Sequence, residues 1–336
     1  MKYRRQTEDP ARPGLGAPTG GGLRKRRRGL GVVPTLFTLG NCLCGFASVY
    51  YASRGAEFIH PGLDLSCYSL AGYLIFAAML FDMFDGFMAR LTHSASDFGA
   101  ELDSLADMVS FGVAPAYLAL RLVSDPMAAA ETLATTTTAA VVRHHVVWPG
   151  PLSEDAWLRL FWFIGAIYVC CTALRLARFN VINRHDIDSH LNFRGLPSPG
   201  AAAVVASTIV FSEALYVDKH IIWFNVSANM IVTFKQILPY LIPPVVLIAA
   251  LLMVSRFAYA HLVNRFLRGR RRFSYVVRLV VILLLIAWQP QITALLAIYL
   301  YALSAPVVWL WRLALGRRAV ATRMASAPEP PPPPPK

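Results

Sequence analysis

Residues 82 to 107 of this 336-residue chain read DMFDGFMARLTHSASDFGAELDSLAD, and four of the five aspartates there, Asp82, Asp85, Asp103 and Asp107, fall at helical spacing. Asp82 and Asp85 are three apart and are followed by Gly86, Ala89 and Arg90. On a helix these five fall at i, i+3, i+4, i+7 and i+8, which is one face. Gly99, Asp103 and Asp107 then recur every four residues. The end of one helix and the start of the next therefore present two carboxylates each, across a short loop. Carboxylates near a membrane core are costly unless they meet a cation, and one arginine cannot neutralise four of them. Mg2+ and Mn2+ are hard cations that prefer oxygen ligands and bridge protein carboxylates to substrate phosphates. Two such ions about 4 Å apart would clamp a phosphoryl group for in-line displacement. Gly86, Ala89 and Gly99 remove bulk where a ligand approaches the helix backbone. The set describes phosphoryl transfer at a membrane interface.

The elements that must hold these residues are transmembrane helices. The chain is 56% hydrophobic and only 15% charged, with a mean hydropathy of +0.49, whereas soluble domains carry about 25% charged residues. Apolar runs near the ~20 residues that span a bilayer recur along it. A soluble enzyme, a disordered chain and a collagen-like fibre are excluded, and so is an outer-membrane barrel with its short alternating segments. The expected fold is an all-α polytopic bundle of about eight spans, near 32–52, 69–91, 100–122, 157–177, 200–217, 237–255, 276–288 and 291–311. Gln289-Pro290 interrupts the last two, as a tight hairpin or a kink. The Asp residues then lie at the facing ends of spans two and three.

Charge sets the orientation. With the N-terminus in the cytoplasm, 26 Lys and Arg residues fall inside and 6 outside, as the positive-inside rule requires. The site then faces the cytoplasm, and the longest external loop is about 123–156. The net charge of +13 is read as topology and attraction to anionic membrane lipid, through Arg24–Arg28 and Arg268–Arg272, with no nucleic acid as partner. The five cysteines have no metal-ligand spacing and read as small apolar residues. The expected divisions are a basic tail, 1–31; a membrane domain, 32–256; a basic loop with two further helices, 257–311; and a basic, proline-rich tail, 312–336.

The pattern D-x2-D-G-x2-A-R-x8-G-x3-D-x3-D resembles the signature of the CDP-alcohol phosphotransferase family, without a departure. The resemblance implies transfer of a phosphatidyl group from a CDP-linked lipid to an alcohol, with release of CMP. It implies two divalent ions, Mg2+ or Mn2+, on Asp82, Asp85, Asp103 and Asp107, and Asp107 as the general base. It also implies a CDP-lipid site lined by Gly86, Ala89, Arg90 and Gly99, with Ser96 and Asn41 as further contacts, and a homodimer in a bacterial cytoplasmic membrane. The stretches PTLFTLGNCLCGF (34–46), FGVAPA (111–116), LRLARFN (174–180) and FRGLPSPG (193–200) look like those of bacterial integral-membrane phosphatidylserine synthases. That likeness implies CDP-diacylglycerol and L-serine as substrates.

Serine brings a carboxylate, which an arginine holds with two parallel hydrogen bonds. Arg178 and Arg194 are the first candidates, with Arg175 and Asn180 beside them. The other readings are the same chemistry with glycerol phosphate, an inositol phosphate or choline as acceptor, or with an ether-linked donor. A divalent-cation transporter is the alternative from another class; it expects carboxylates in two corresponding halves and leaves the small residues unexplained.

Overall fold

The structure, a computed structural model, describes residues 32–55, 65–91, 97–135, 150–153, 155–185, 195–217, 228–257, 259 and 289–325. The described chain forms α1 (Val32–Ser53), α2 (Cys67–Leu91), α3 (Asp97–Asp107), a π-helical turn (Met108–Val113), α4 (Ala114–Thr135), α5 (Ala156–His185), α6 (Ser198–Val217), α7 (Ala228–Val254) and α8 (Pro290–Ala325). Among the described residues seven helical stretches are long and apolar enough to cross a membrane: Val33–Ser53, Cys67–Met88, Phe98–Asp125, Ala156–Val181, Ser198–Leu215, Ile237–Val254 and Pro290–Trp311. They coincide with seven of the eight expected spans; the remaining one, 276–288, lies outside the described residues. Pro290 opens a helix, at the first-turn position where its missing N–H has no intrahelical partner to lose.

The third and fifth spans are the centre of the bundle, each 78% buried, whereas the last is 11% buried and lies at the periphery. Lipid tails are as apolar as leucine, so association here depends on close packing. The α6 sequence supplies it with Ala201, Ala202, Ala203 and Ala206, all buried. Tyr68, Phe111, Phe161, Leu118 and Tyr168 fill the space between α2, α4, α5 and the π turn. The helix α1 packs chiefly on α2, and Ser48 Oγ donates to the Ala71 carbonyl at 2.9 Å.

The connection into α6 is fixed by backbone geometry. Gly195 has φ of 95°, a region L-residues rarely enter, and a Cβ there would lie 2.3 Å from the Met253 carbonyl oxygen. Its N–H donates to the Phe257 carbonyl at 2.8 Å, and that of Leu196 to the Leu252 carbonyl at 2.9 Å. The start of α6 is thereby tied to the end of α7.

Candidate active site

Helices α2 and α3 meet at the motif. Asp82 and Asp85 lie on the last turns of α2 and Asp103 on α3, and each offers one oxygen so that the three lie within 4.8 Å of one another. The 3- and 4-residue spacing had placed each pair on one helix face; the packing of both helices on α1 closes the group. Thr38 of α1 and the Gly86 amide reach Asp85, yet Asp85 Oδ2 and Asp103 Oδ1 are buried with no hydrogen-bond partner. Buried oxygens left in that state cost about 1–3 kcal/mol each, more when charged. Three converging carboxylates with orphaned oxygens are what a hard divalent cation satisfies, so the residues fit the ion the sequence implies.

Asp107 sits one turn beyond Asp103 and outside that tight group. It is buried, and its Oδ1 accepts a 3.1 Å hydrogen bond from Asn41 Nδ2 of α1. Asp82, Asp103 and Asp85 are its electrostatic neighbours. Immediately after it the helix widens into the π turn, a local form that recurs at functional sites. There α1 approaches so closely that a Cβ on Gly45 would lie 2.7 Å from the Ser110 Cα. The close approach of Gly45 lets Asn41, one turn earlier on the same helix, reach Asp107.

The expected small residues differ in what the structure says of them. A Cβ on Gly86 would meet nothing within 4 Å, so α2 faces open space beside Asp85. Gly99 is partly buried on α3. Ala89 and Arg90 lie on the last turn of α2, and their side chains, with Ser96 and Arg194, are outside the described residues.

The structure separates the acceptor-side candidates. Arg175 of α5 points into the bundle: its Nη1 donates to Ser198 Oγ at 2.6 Å, and Asp107, Tyr301, Asp82 and Tyr168 are its electrostatic neighbours. Arg178, three residues on, is exposed. Asn180 is engaged by Ser104, its Nδ2 donating to Ser104 Oγ at 3.0 Å, which links α5 to α3 beside Asp103. Sequence reasoning had not singled out Thr38, Ser104, Ser198 or Tyr301. Thr38 lies three residues before Asn41 on the same helix face, and Ser198 lies inside FRGLPSPG; those signals were present. Tyr301 had none.

A bundle of apolar helices with an aspartate cluster at the junction of two of them defines an integral membrane protein with a polar cluster held among its helices. The sequence model of the CDP-alcohol phosphatidyltransferase family matches residues 31–234, more than half of the chain. The chain belongs to that family. Among curated proteins it is similar to the CDP-diacylglycerol–serine O-phosphatidyltransferase of Helicobacter pylori, at 31% identity over 54% of this chain and 58% of that one. The protein of the same name from Methanocaldococcus jannaschii is 37% identical over 39% of this chain and 46% of its own length. The archaetidylserine synthase of Methanothermobacter thermautotrophicus is 31% identical over 52% of this chain and 56% of its own. The chain thus spans about half the length of the curated relatives it matches.

Proposed function

We propose that this protein transfers the phosphatidyl group of CDP-diacylglycerol to L-serine, giving phosphatidylserine and CMP. The observation that carries the chemistry is the convergence of Asp82, Asp85 and Asp103 with orphaned oxygens at the α2–α3 junction. The names of the relatives support serine as acceptor. The family it belongs to is one of transferases, which leaves the transporter reading no observation of its own.

Asp82, Asp85 and Asp103 would hold Mg2+ or Mn2+, with Asp107 as a further ligand where two ions bind. When bound, such ions neutralise the pyrophosphate and the charge that develops as CMP leaves. Gly86 leaves the space in which the nucleotide or pyrophosphate lies against α2, with Ala89, Arg90 and Gly99 on the same helix ends. Arg175 holds the serine carboxylate and orients the hydroxyl. Asp107, kept in place by Asn41, accepts the hydroxyl proton. The serine oxygen then forms a bond to the phosphorus that carries diacylglycerol, and the bond from that phosphorus to CMP breaks. The site faces the cytoplasm on the charge bias of 26 against 6, in a bacterial inner membrane and as a homodimer on the family resemblance. An ether-linked donor is a second reading, favoured by the archaetidylserine synthase among the relatives.

The test uses membranes devoid of serine-lipid synthesis, supplied with CDP-diacylglycerol, Mg2+ or Mn2+ and labelled L-serine. Label in the lipid fraction with matching CMP is expected, lost on chelation with EDTA and in Asp107→Asn. CMP release that requires another alcohol keeps the class and overturns serine. No CMP with any alcohol under either metal overturns the transfer.

A further inference from the structure

The helix α8 lies wholly beyond residues 31–234, the segment that defines the family, yet it packs on α6 at the turn that holds Arg175. A Cβ on Gly200 would lie 3.5 Å from Tyr301 Cε1, so the Tyr301 ring rests on the first turn of α6. Ser198, on that same turn, accepts the 2.6 Å hydrogen bond from Arg175. Tyr301 and Arg175 are electrostatic neighbours, as are Arg175 and Asp107.

The position of Tyr301 is itself over-determined. Its ring packs on that of Tyr259 with centroids 5.7 Å apart, and Tyr259 Oη donates to the Ala302 carbonyl at 2.9 Å. Burial and the neighbouring Tyr301 push the Tyr259 phenol up to about 12, so it remains a neutral donor. About two turns further along α6, Thr208 and Tyr299 of α8 share a 2.7 Å hydroxyl contact. Phe257 packs edge-on against Trp309, and its carbonyl receives the Gly195 N–H. The segment after α7 and α8 together therefore brace the entry to α6.

We propose that Tyr301 is a positioning residue for the acceptor: seated on the first turn of α6, it holds Arg175 in the orientation that binds the acceptor's carboxylate, so that a helix outside the family-defining segment sets acceptor affinity. The proposal rests on serine as the acceptor. The Tyr301 phenol is a dipole near the guanidinium and its ring covers the α6 turn that carries Ser198, where the charge-assisted Arg175–Ser198 bond gains strength from the exclusion of water.

The full-length protein in phosphatidylcholine–phosphatidylglycerol vesicles, with CDP-diacylglycerol and Mn2+, gives the test by initial rates of labelled-serine incorporation. Tyr301→Ala, which uncovers the turn that holds the Arg175–Ser198 bond, is expected to raise the serine KM about tenfold or more, the scale of a lost bond to a charged group, and Tyr301→Phe, which removes only the phenol dipole, about fivefold, the scale of a neutral polar interaction. The KM for CDP-diacylglycerol and inhibition by CMP should stay within about twofold, the scale of surface substitutions. If Tyr301→Ala does not fold, Tyr301→Phe carries the test. Wild type that incorporates serine while both folded variants keep the wild-type serine KM overturns the role of Tyr301 alone. Equal changes in serine KM and CMP inhibition show a general structural role and overturn it as well. Wild type that incorporates no serine overturns the serine reading instead.

Discussion

The bundle holds two buried polar clusters, and they are built on opposite plans. At one end lie Asp82, Asp85, Asp103 and Asp107, four carboxylates with Arg175 as the cation beside them among the described residues. At the other, 14 residues or about 21 Å further along the α3–α4 helix, Arg121 Nη2 pairs with Asp125 Oδ1 at 3.1 Å. Tyr68 Oη donates to Asp125, and Ser66 Oγ donates to Glu213 Oε2 at 2.5 Å. Both clusters join three or more helices, but the first leaves Asp85 Oδ2 and Asp103 Oδ1 buried without a hydrogen-bond partner, whereas the second meets its carboxylates with an arginine, a phenol and a hydroxyl. A charge buried in hydrocarbon is tolerated when paired. In the second cluster Asp125 and Glu213 each have a partner from the protein, and the cluster reads as a bolt between α2, α4 and α6. The first keeps buried oxygens open, which is tolerable where a cation and a phosphate ligand supply the missing partners.

That contrast makes Asp→Asn substitutions diverge. Asp103→Asn should lower the rate of CMP release by about 10^2–10^3-fold, the cost of removing a group that stabilises developing charge. It should hold or raise the unfolding temperature of the metal-stripped protein, because one like charge leaves the cluster. A fall in that temperature would mean the first cluster is a bolt too. Arg121→Leu should do the reverse. It takes the cation from Asp125 and leaves that carboxylate the Tyr68 hydroxyl, which is expected to lower stability, seen as a lower melting midpoint in detergent, while both substrate KM values remain at wild type.

Smaller changes sharpen the same distinction. Gly45→Ala inserts a Cβ 2.7 Å from the Ser110 backbone and should cost about 1–3 kcal/mol as overpacking does. Because Ser110 belongs to the turn that follows Asp107, kcat should fall along with stability. Gly86→Ala meets open space and should hold stability or raise it by about 0.5–1 kcal/mol, since glycine weakens a helix interior by that much. Its effect should appear in a raised KM for CDP-diacylglycerol, measured at saturating serine. An unchanged lipid KM would show that the space beside Asp85 is not where the nucleotide lipid lies.

Much of the bundle was legible because hydropathy and helical spacing are local signals. Seven of the expected spans recur with ends shifted by a few residues. The third shows where that reading stops: the single span expected from 100 to 122 is α3, a π turn and the start of α4, and hydropathy does not register a change in hydrogen-bond register. The four aspartates were legible for the same reason, since i, i+3 and i+4 spacing fixes a helix face whatever the helix packs against.

Contacts between helices had no such signal. Asn41 and Asp107 are 66 residues apart, and their hydrogen bond follows from how closely Gly45 lets α1 approach the π turn. Arg175, Arg178 and Arg194 look alike as cations on the sequence, yet the rotation of α5 turns Arg175 toward Ser198 and Asp107 and leaves Arg178 exposed. Tyr301 is one aromatic residue in an apolar run, with nothing in its spacing to relate it to α6. The sequence by itself determined that the chain has helices apolar enough to cross a membrane and that two helix ends carry a set of carboxylates in register, because both follow from periodicity along one helix. Only the tertiary structure decided which arginine faces the carboxylates and which distant helix supports it, because those depend on the rotation and approach of helices set by the packing of the whole bundle.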